Sequence, residues 1–520
     1  VLINARVLTL DPLRAGAQAV AVRGSTIAAF GSSKDIASLA GPATRTINCV
    51  GKTLIPGFVD SHCHVLAQAA SLHGIDCSPK TVSSIQDLEN VVRHRAETTQ
   101  TGHWIRGFGY DDLSFLEKRH PTRSDLDRAA PNHPVRLDHR SGHATVLNSL
   151  ALNLVGLDAS TPDPVEGVID RDNATGELTG LLFEMAVYLR QRLGTSRDQA
   201  AFQDYVHQLN NTLLGYGITS VQDAGPDNGL ERWQIFQELQ SSGALQCRVT
   251  MFAGASHLEE FQSAGLTWGA GDDQLRLGHA KIMLTLSTGA LEPNLEALTE
   301  LVDNAHRAGF PVAIHAIEQE AIESAIKALT NAAPLASPEP TSDIQSLDRI
   351  EHCAECPPEL VAEIARSGCM VVTQPGFVYW NGDNYLKRVD ALMLPNLYQV
   401  GALANAGVPL AFGSDAPVID PNPWPAIYNA VTRKTSTGSL LPPEASQQQA
   451  ISVAEALRMY TAAGAIADGT GDQKGTIRPG MMADMVLLDT DSITVEPEQL
   501  KEIGAMTTIL GGEVVWEGGG

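Results

Sequence analysis

No stretch of this chain approaches the roughly 20 consecutive apolar residues that a membrane-spanning helix needs, and its first residues lack the basic-then-apolar order of a secretory signal. Positive charge is scarce as well: 36 Lys and Arg face 60 Asp and Glu, a net charge of −24 at pH 7. A surface field of that sign repels phosphate backbones and anionic lipid headgroups, so neither nucleic acid nor a membrane is an expected partner. Cysteine is sparse: seven thiols, scattered from Cys49 to Cys369, do not form the dense, regular framework of a stapled secreted domain. These absences give the expectation of a cytoplasmic protein. What is present is material for a core, with 43% hydrophobic and 18% charged residues in 520, enough for one large domain and a smaller one.

Both ends of the chain have the texture of half-buried antiparallel strands. "VLINARVLTLDP" and "AVAVRGSTIAAFG" alternate apolar and polar residues between turns, and "GTIRPGMMADMVLLDTD" and "AMTTILGGEVVWEG" do the same at the far end. The expectation is one composite β-sandwich domain built from 1–56 and 471–520. The middle repeats a different unit. Short β-branched runs at 217–225, 245–254, 277–284, 310–317, 348–354, 368–377 and 408–418 alternate with helical patterns such as "NLEALTELVDNAHRAG", and the run before His62 makes an eighth. Eight alternating units with continuous apolar strands predict an α/β fold, a (β/α)₈ barrel over 57–470. About 150 residues separate the first strand from the second, too many for one crossover. An insertion over about 67–215 is therefore expected to cap the mouth of the barrel; within it, 178–193 has the texture of an apolar helix.

Polar side chains fall at the ends of these strands. "PGFVDSHCHV" closes the first on His62 and His64, which share a face because residues i and i+2 of a strand do, while Cys63 turns away. The fourth strand carries Lys281, the fifth His315, the sixth His352 and the eighth Asp415. Singly, each has a bland explanation. Five strand ends of one barrel converge on one small volume, however, and burying these groups unpaired costs several kcal/mol each, whereas one or two divalent cations satisfy them together. Imidazole and oxygen ligands suit Zn²⁺, with Mn²⁺, Co²⁺ and Fe²⁺ as competitors. An ammonium repels a cation, so Lys281 contributes only as the neutral amine or after covalent modification. "CAEC", with Cys353 next to His352, is expected to hold two reduced thiols.

In this order, "PGFVDSHCH", "HAKIM", "VAIHA", "RIEHC", "FGSDAPV" and "GTIRPGMMADMVLLD" resemble the amidohydrolase superfamily across nearly the whole chain. The insertion, "RGFGYDD", "SGHATVLNSLAL" and "GITSVQDAG" are similar to amidohydrolase family 3, the YtcJ-like branch that includes N-substituted formamide deformylase. The resemblance implies hydrolysis of an amide or related C–N bond at two metal ions. One takes His62, His64 and Asp415, the other His315 and His352, and carbamylated Lys281 bridges them. It also implies pairing of subunits as a homodimer. Asp415 is the expected proton shuttle, His143 the oxyanion or orienting group, and Tyr110, Glu184 and Trp380 are substrate-side candidates. Two departures stand out: Thr285 and Leu286 where the branch has Asp-Gly after the strand-four lysine, and Glu318 and Gln319 where it has Gly-Asp after the strand-five histidine. The rival readings are a deaminase of the same superfamily, which usually lacks the strand-four lysine, and a non-catalytic scaffold that has lost its ligands.

Overall fold

The computed structural model describes the chain apart from residues 14–15, 165–166, 186–187, 190–191, 193–198, 287–288, 334, 336–347, 445 and 519–520. It folds into two compact units: Val1–Val65 with Asn210–Leu286 and Pro293–Gly520, and Leu66–Leu209 with Ser287–Glu292. None of the described helices is long and apolar enough to cross a membrane.

The first unit contains a sheet of eight parallel strands, β1 Phe58–Cys63, β2 Ile218–Asp223, β3 Arg248–Gly254, β4 Leu275–Met283, β5 Val312–Ala316, β6 Arg349–His352, β7 Met370–Thr373 and β8 Leu410–Phe412, each paired with the next in chain order. Helices return the chain between strands. Leu295–Arg307 starts on Asn294, whose side chain accepts from Ala297 N–H, and buries Leu298, Val302 and Ala305 at helical spacing. Pro358–Ser367 begins with proline in its first turn and stops at Gly368, φ 73°.

The barrel is closed between β8 and β1 by the chain just past β8. Asp415 N–H donates to His62 O at 2.7 Å and His64 N–H to Ala416 O at 2.8 Å. Buried Asp60 takes Ser414 N–H at 2.9 Å and Ser414 Oγ–H at 2.5 Å, and burial pushes its carboxyl up to about 6 against those bonds. Gly413 lies so close to β1 that a Cβ there would meet His62 N at 2.6 Å. The seam that closes the barrel is thus made of the segments that carry His62, His64 and Asp415.

Both chain ends form two further sheets in the same unit. Thr26–Gly31, Ala19–Arg23, Leu2–Ile3 and Ile47–Asn48 make one; Arg6–Val7, Thr53–Pro56, Met485–Leu488, Ala505–Leu510 and Glu513–Glu517 make the other. Leu2, Val7, Ile27, Leu54, Met485 and Ile509 share one buried core between them.

The second unit is a six-stranded mixed sheet in the order Val168–Arg171, Leu178–Phe183, Ala144–Leu147, Val135–His139, Ile105–Tyr110, Ile75–Asp76, packed with helices that include Ile85–Thr98 and Arg123–Ala129. The run 178–193 opens as a strand, contrary to the helix expected from its texture. Leu178–Phe183 pairs antiparallel on both sides. Gly180 sits at φ 94° with room for no Cβ, since Leu147 O would be 2.4 Å from it, and that backbone is not helical. Half of the remainder of the run lies outside the described residues.

Candidate metal centre

At the C-terminal ends of the barrel strands the structure brings ligand atoms of His62, His352 and Asp415 within 4.8 Å of one another, all buried. His64 Nε2 lies 3.0 Å from Asp415 Oδ1 and His62 Nε2 3.4 Å from the same oxygen. The His315 ring centroid is 4.4 Å from that of His352, which in turn is 4.8 Å from His62. Lys281 on β4 is 2% exposed, with no hydrogen-bond partner for Nζ among the described residues. Burial pushes its ammonium down to about 8, against the pull of Glu351 and Asp415.

Backbone conformation aims two of these groups. Alternation along β6 places Arg349 and Glu351 on one face and Ile350 and His352 on the other. His352 escapes this rule because its φ is 69°, and Cys353 follows at 51°. Asp415 has φ 57°. Left-handed backbone at non-glycine residues costs energy and concentrates at functional sites.

Electrostatics follow from the neighbours. Burial pushes the His352 imidazolium down to about 3, Asp415 pulling the other way, so the ring is neutral. Its Nδ1–H donates to Gln374 Oε1 at 2.9 Å, which directs the Nε2 lone pair towards the cluster. For Asp415 burial alone raises the carboxyl, but hydrogen bonds from His62 and His64 outweigh it and hold it well below the usual range. His62 feels burial and Lys281 pushing down, and Glu351 and Asp415 pulling up more strongly. Its Nδ1–H donates to Glu351, which is clasped by Arg349. The neutral imidazole of His352, the ionised carboxylate of Asp415, and an amine with no hydrogen-bond partner among the described residues, beside a His62 ring that a metal would relieve of its Nε2 proton, fit a divalent cation.

Sequence reasoning did not select Glu351, Arg349, Gln374 or Asp60. The available signal was an Arg and a Glu two apart in the otherwise apolar "RIEHC", adjacent to a candidate ligand.

The remaining candidates are carried by other elements. In the second unit, His143 Nδ1 is 2.8 Å from Glu184 Oε1, and Glu184 has φ 55°. Tyr110 is a core residue of that unit: it is 0% exposed, stacked on Phe115, with its hydroxyl 3.0 Å from His120 Nδ1. Trp380, in the helix Pro375–Arg388 of the first unit, is partly buried and T-shaped against Tyr379 at 4.8 Å. Cys353 and Cys356 are buried free thiols.

The profile of the amidohydrolase family matches residues 45–516. The chain belongs to that family. Within it, the N-substituted formamide deformylase of Arthrobacter pascens is 28% identical, covering 99% of this chain and 98% of the relative. YtcJ of Bacillus subtilis (strain 168) is 27% identical, with 96% of each chain covered. A metal-dependent hydrolase from Pyrococcus horikoshii ot3 superposes with a TM-score of 0.76 at 23% identity over 96% of this chain and 98% of that one. Atrazine chlorohydrolase TrzN from Arthrobacter aurescens TC1, complexed with zinc, does so with 0.57 at 14% over 99% and 95%. At these identities the likeness to solved structures is one of fold.

Proposed function

We propose that this amidohydrolase-family protein is a metal-dependent hydrolase of an amide or other non-peptide C–N bond in a small molecule of the N-acyl, N-formyl, carbamate or cyclic amide type. One observation carries the reading: His62, His352 and Asp415 present ligand atoms within 4.8 Å of one another inside the barrel, with the Nζ of Lys281, which has no hydrogen-bond partner among the described residues, buried in the same set of charges. Zinc is the proposed metal, as two ions. His62, His64 and Asp415 would hold one and His315 and His352 the other, with carbamylated Lys281 as a ligand to both. Carbamylation bonds Nζ of the neutral amine to the carbon of CO₂ and releases a proton; burial of Lys281 favours the neutral amine that this needs.

Such ions, when bound, lower the pKa of a water from 15.7 towards about 7 and polarise a substrate carbonyl. Asp415, held ionised in the cluster, would accept the water's proton on its carboxylate and deliver it to the leaving nitrogen. His143, oriented through Nδ1 by Glu184, binds substrate or the developing oxyanion. Trp380 offers an apolar wall. The named activity of the Arthrobacter pascens relative puts N-formyl compounds first in a substrate screen. Lys281 weighs against a deaminase, which usually lacks that lysine.

Metal analysis of the purified protein is expected to find about one to two equivalents of zinc. Asp415→Asn is expected to lower kcat by about 10²–10⁴-fold with unchanged circular dichroism. Full activity without metal, or a substantial residual rate in the variant, overturns the proposal.

A further inference from the structure

Two of the histidines that present Nε2 to the cluster, His62 and His352, are backed by different chemistry. Behind His62 stands a carboxylate: Nδ1–H donates to Glu351 Oε2. Arg349 clasps both oxygens of Glu351, Nε on Oε1 and Nη2 on Oε2 at 3.1 Å. The guanidinium is itself fixed from across the barrel, by Gln222 Oε1 at 2.6 Å from β2 and Ser61 O at 2.6 Å from β1, and it lies 4.7 Å over the Phe252 ring of β3. Both Arg349 and Glu351 are 0% exposed. Behind His352 stands a neutral amide, Gln374 Oε1 at 2.9 Å, whose own Nε2 has no hydrogen-bond partner among the described residues.

A ring N–H held by an ionised carboxylate makes the opposite nitrogen a stronger donor to a cation than one held by an amide, and such outer partners change metal affinity by about 10–100-fold. A bidentate Arg–carboxylate pair is also the more rigid support. We infer that Glu351, with Arg349 as its counter-ion, is a positioning residue that makes the His62 position the tighter of two unequal cation positions, and that Gln374 leaves the His352 position the weaker one. The inference rests on the metal-dependent reading above. It assigns an order of loading: the first ion goes to the His62 side.

The test is a titration of metal-free, full-length protein with Co²⁺ in bicarbonate buffer, followed by the visible d–d absorption, which reports ligand geometry independently of turnover. The wild type is expected to show two steps, the first at least about tenfold tighter. Glu351→Gln is expected to weaken the first step by about 10–100-fold and to alter its spectrum, with the second step kept. Gln374→Glu is expected to tighten the second step and narrow the gap. Because Glu351→Gln leaves a buried guanidinium without its anion and threatens folding, Arg349→Met/Glu351→Gln, which removes both charges and keeps an acceptor for His62, is measured beside it. Two equal steps in the wild type overturn the inference and leave the metal reading standing. So does an unchanged first step in folded Glu351 variants, or an unchanged second step in Gln374→Glu. A wild type that binds no Co²⁺ removes the metal reading and the inference together.

Discussion

Two clusters of histidine and carboxylate in this protein look alike in composition and differ in where their protons point. In the barrel, ligand atoms of His62, His352 and Asp415 lie within 4.8 Å of one another; in the second unit those of Asp111, Asp112 and His139 do the same. His62 and His352 each have Nδ1 against an acceptor, Glu351 or Gln374, so Nε2 is the nitrogen that turns inward. His139 is the reverse. Its Nδ1 accepts Ser141 N–H at 3.1 Å, a backbone group that only donates, so Nε2 carries the proton and faces Asp112 Oδ1 at 3.2 Å. Burial pushes its imidazolium down to about 4, which keeps that neutral tautomer. Asp111 is already occupied by Leu113 N–H, Ser114 Oγ–H and Arg140. The second cluster turns a ring N–H towards its carboxylate, whereas the first turns Nε2 of two histidines inward beside an amine that has no hydrogen-bond partner among the described residues. Proximity of ligand-type residues is therefore weaker evidence for a metal than the identity of the groups behind them.

The sharpest way to break this comparison is to disturb the barrel cluster without touching a ligand. Gly413→Ala places a methyl 2.6 Å from His62 N and 2.8 Å from His62 Cβ, both on β1, so the seam between β8 and β1 has to open. The expected cost is roughly 3 kcal/mol of stability, with loss of bound metal, because the same seam sets His62 beside Asp415. Denaturant unfolding and metal analysis check both. Full metal content in a folded variant means that the ligands do not depend on closure of the barrel.

The difference between the clusters was only half legible in the sequence. The eight barrel strands lie where apolar runs and turn residues put them, because a strand buried on both faces has a strong compositional signal. The convergence of His62, His64, Lys281, His315, His352 and Asp415 followed from topology, which carries strand ends to one rim. The supporting groups had no such signal. Strand alternation places Glu351 and His352 on opposite faces, and only the positive φ of His352 brings both to His62; a dihedral of one residue is decided by tertiary contacts. Tyr110 between Gly109 and Asp111 has the local character of an exposed loop, yet the sheet pairing of Ile105–Tyr110 buries it completely. The apolar run at 178–183 suits helix or strand equally, and Gly180 decides it.

A milder test is aimed at the second cluster. Asp112→Asn removes the negative charge that faces His139 at 3.2 Å and His120 at 3.7 Å, and with it the attraction between that carboxylate and two partly buried rings. A loss of about 1–2 kcal/mol in stability is expected, with metal content unchanged. A fall in bound metal by one equivalent would make this cluster a ligand set and erase the distinction drawn above.

His306 supplies the third arrangement of the ring and the smallest expected effect. Here both nitrogens face acceptors, Nδ1 the carbonyl of Ala333 at 2.6 Å and Nε2 the carboxylate of Asp348 at 3.1 Å, with Asp303 adding to the field. Burial opposes the charge, but these partners outweigh it and raise the imidazolium above its ordinary 6.5. The ring also lies in the last turn of Leu295–Arg307, where a cation complements the helix dipole. A raised folded-state pKa means that the protonated ring contributes its full stabilisation below pH 6.5, and that this is lost as pH climbs through the folded value. His306→Gln is therefore expected to cost about 1 kcal/mol at pH 6 and less at pH 9. Urea midpoints of both proteins from pH 5.5 to 9 measure this directly: the two curves should converge with rising pH, and a constant gap would show that the ring is neutral and acts through packing alone.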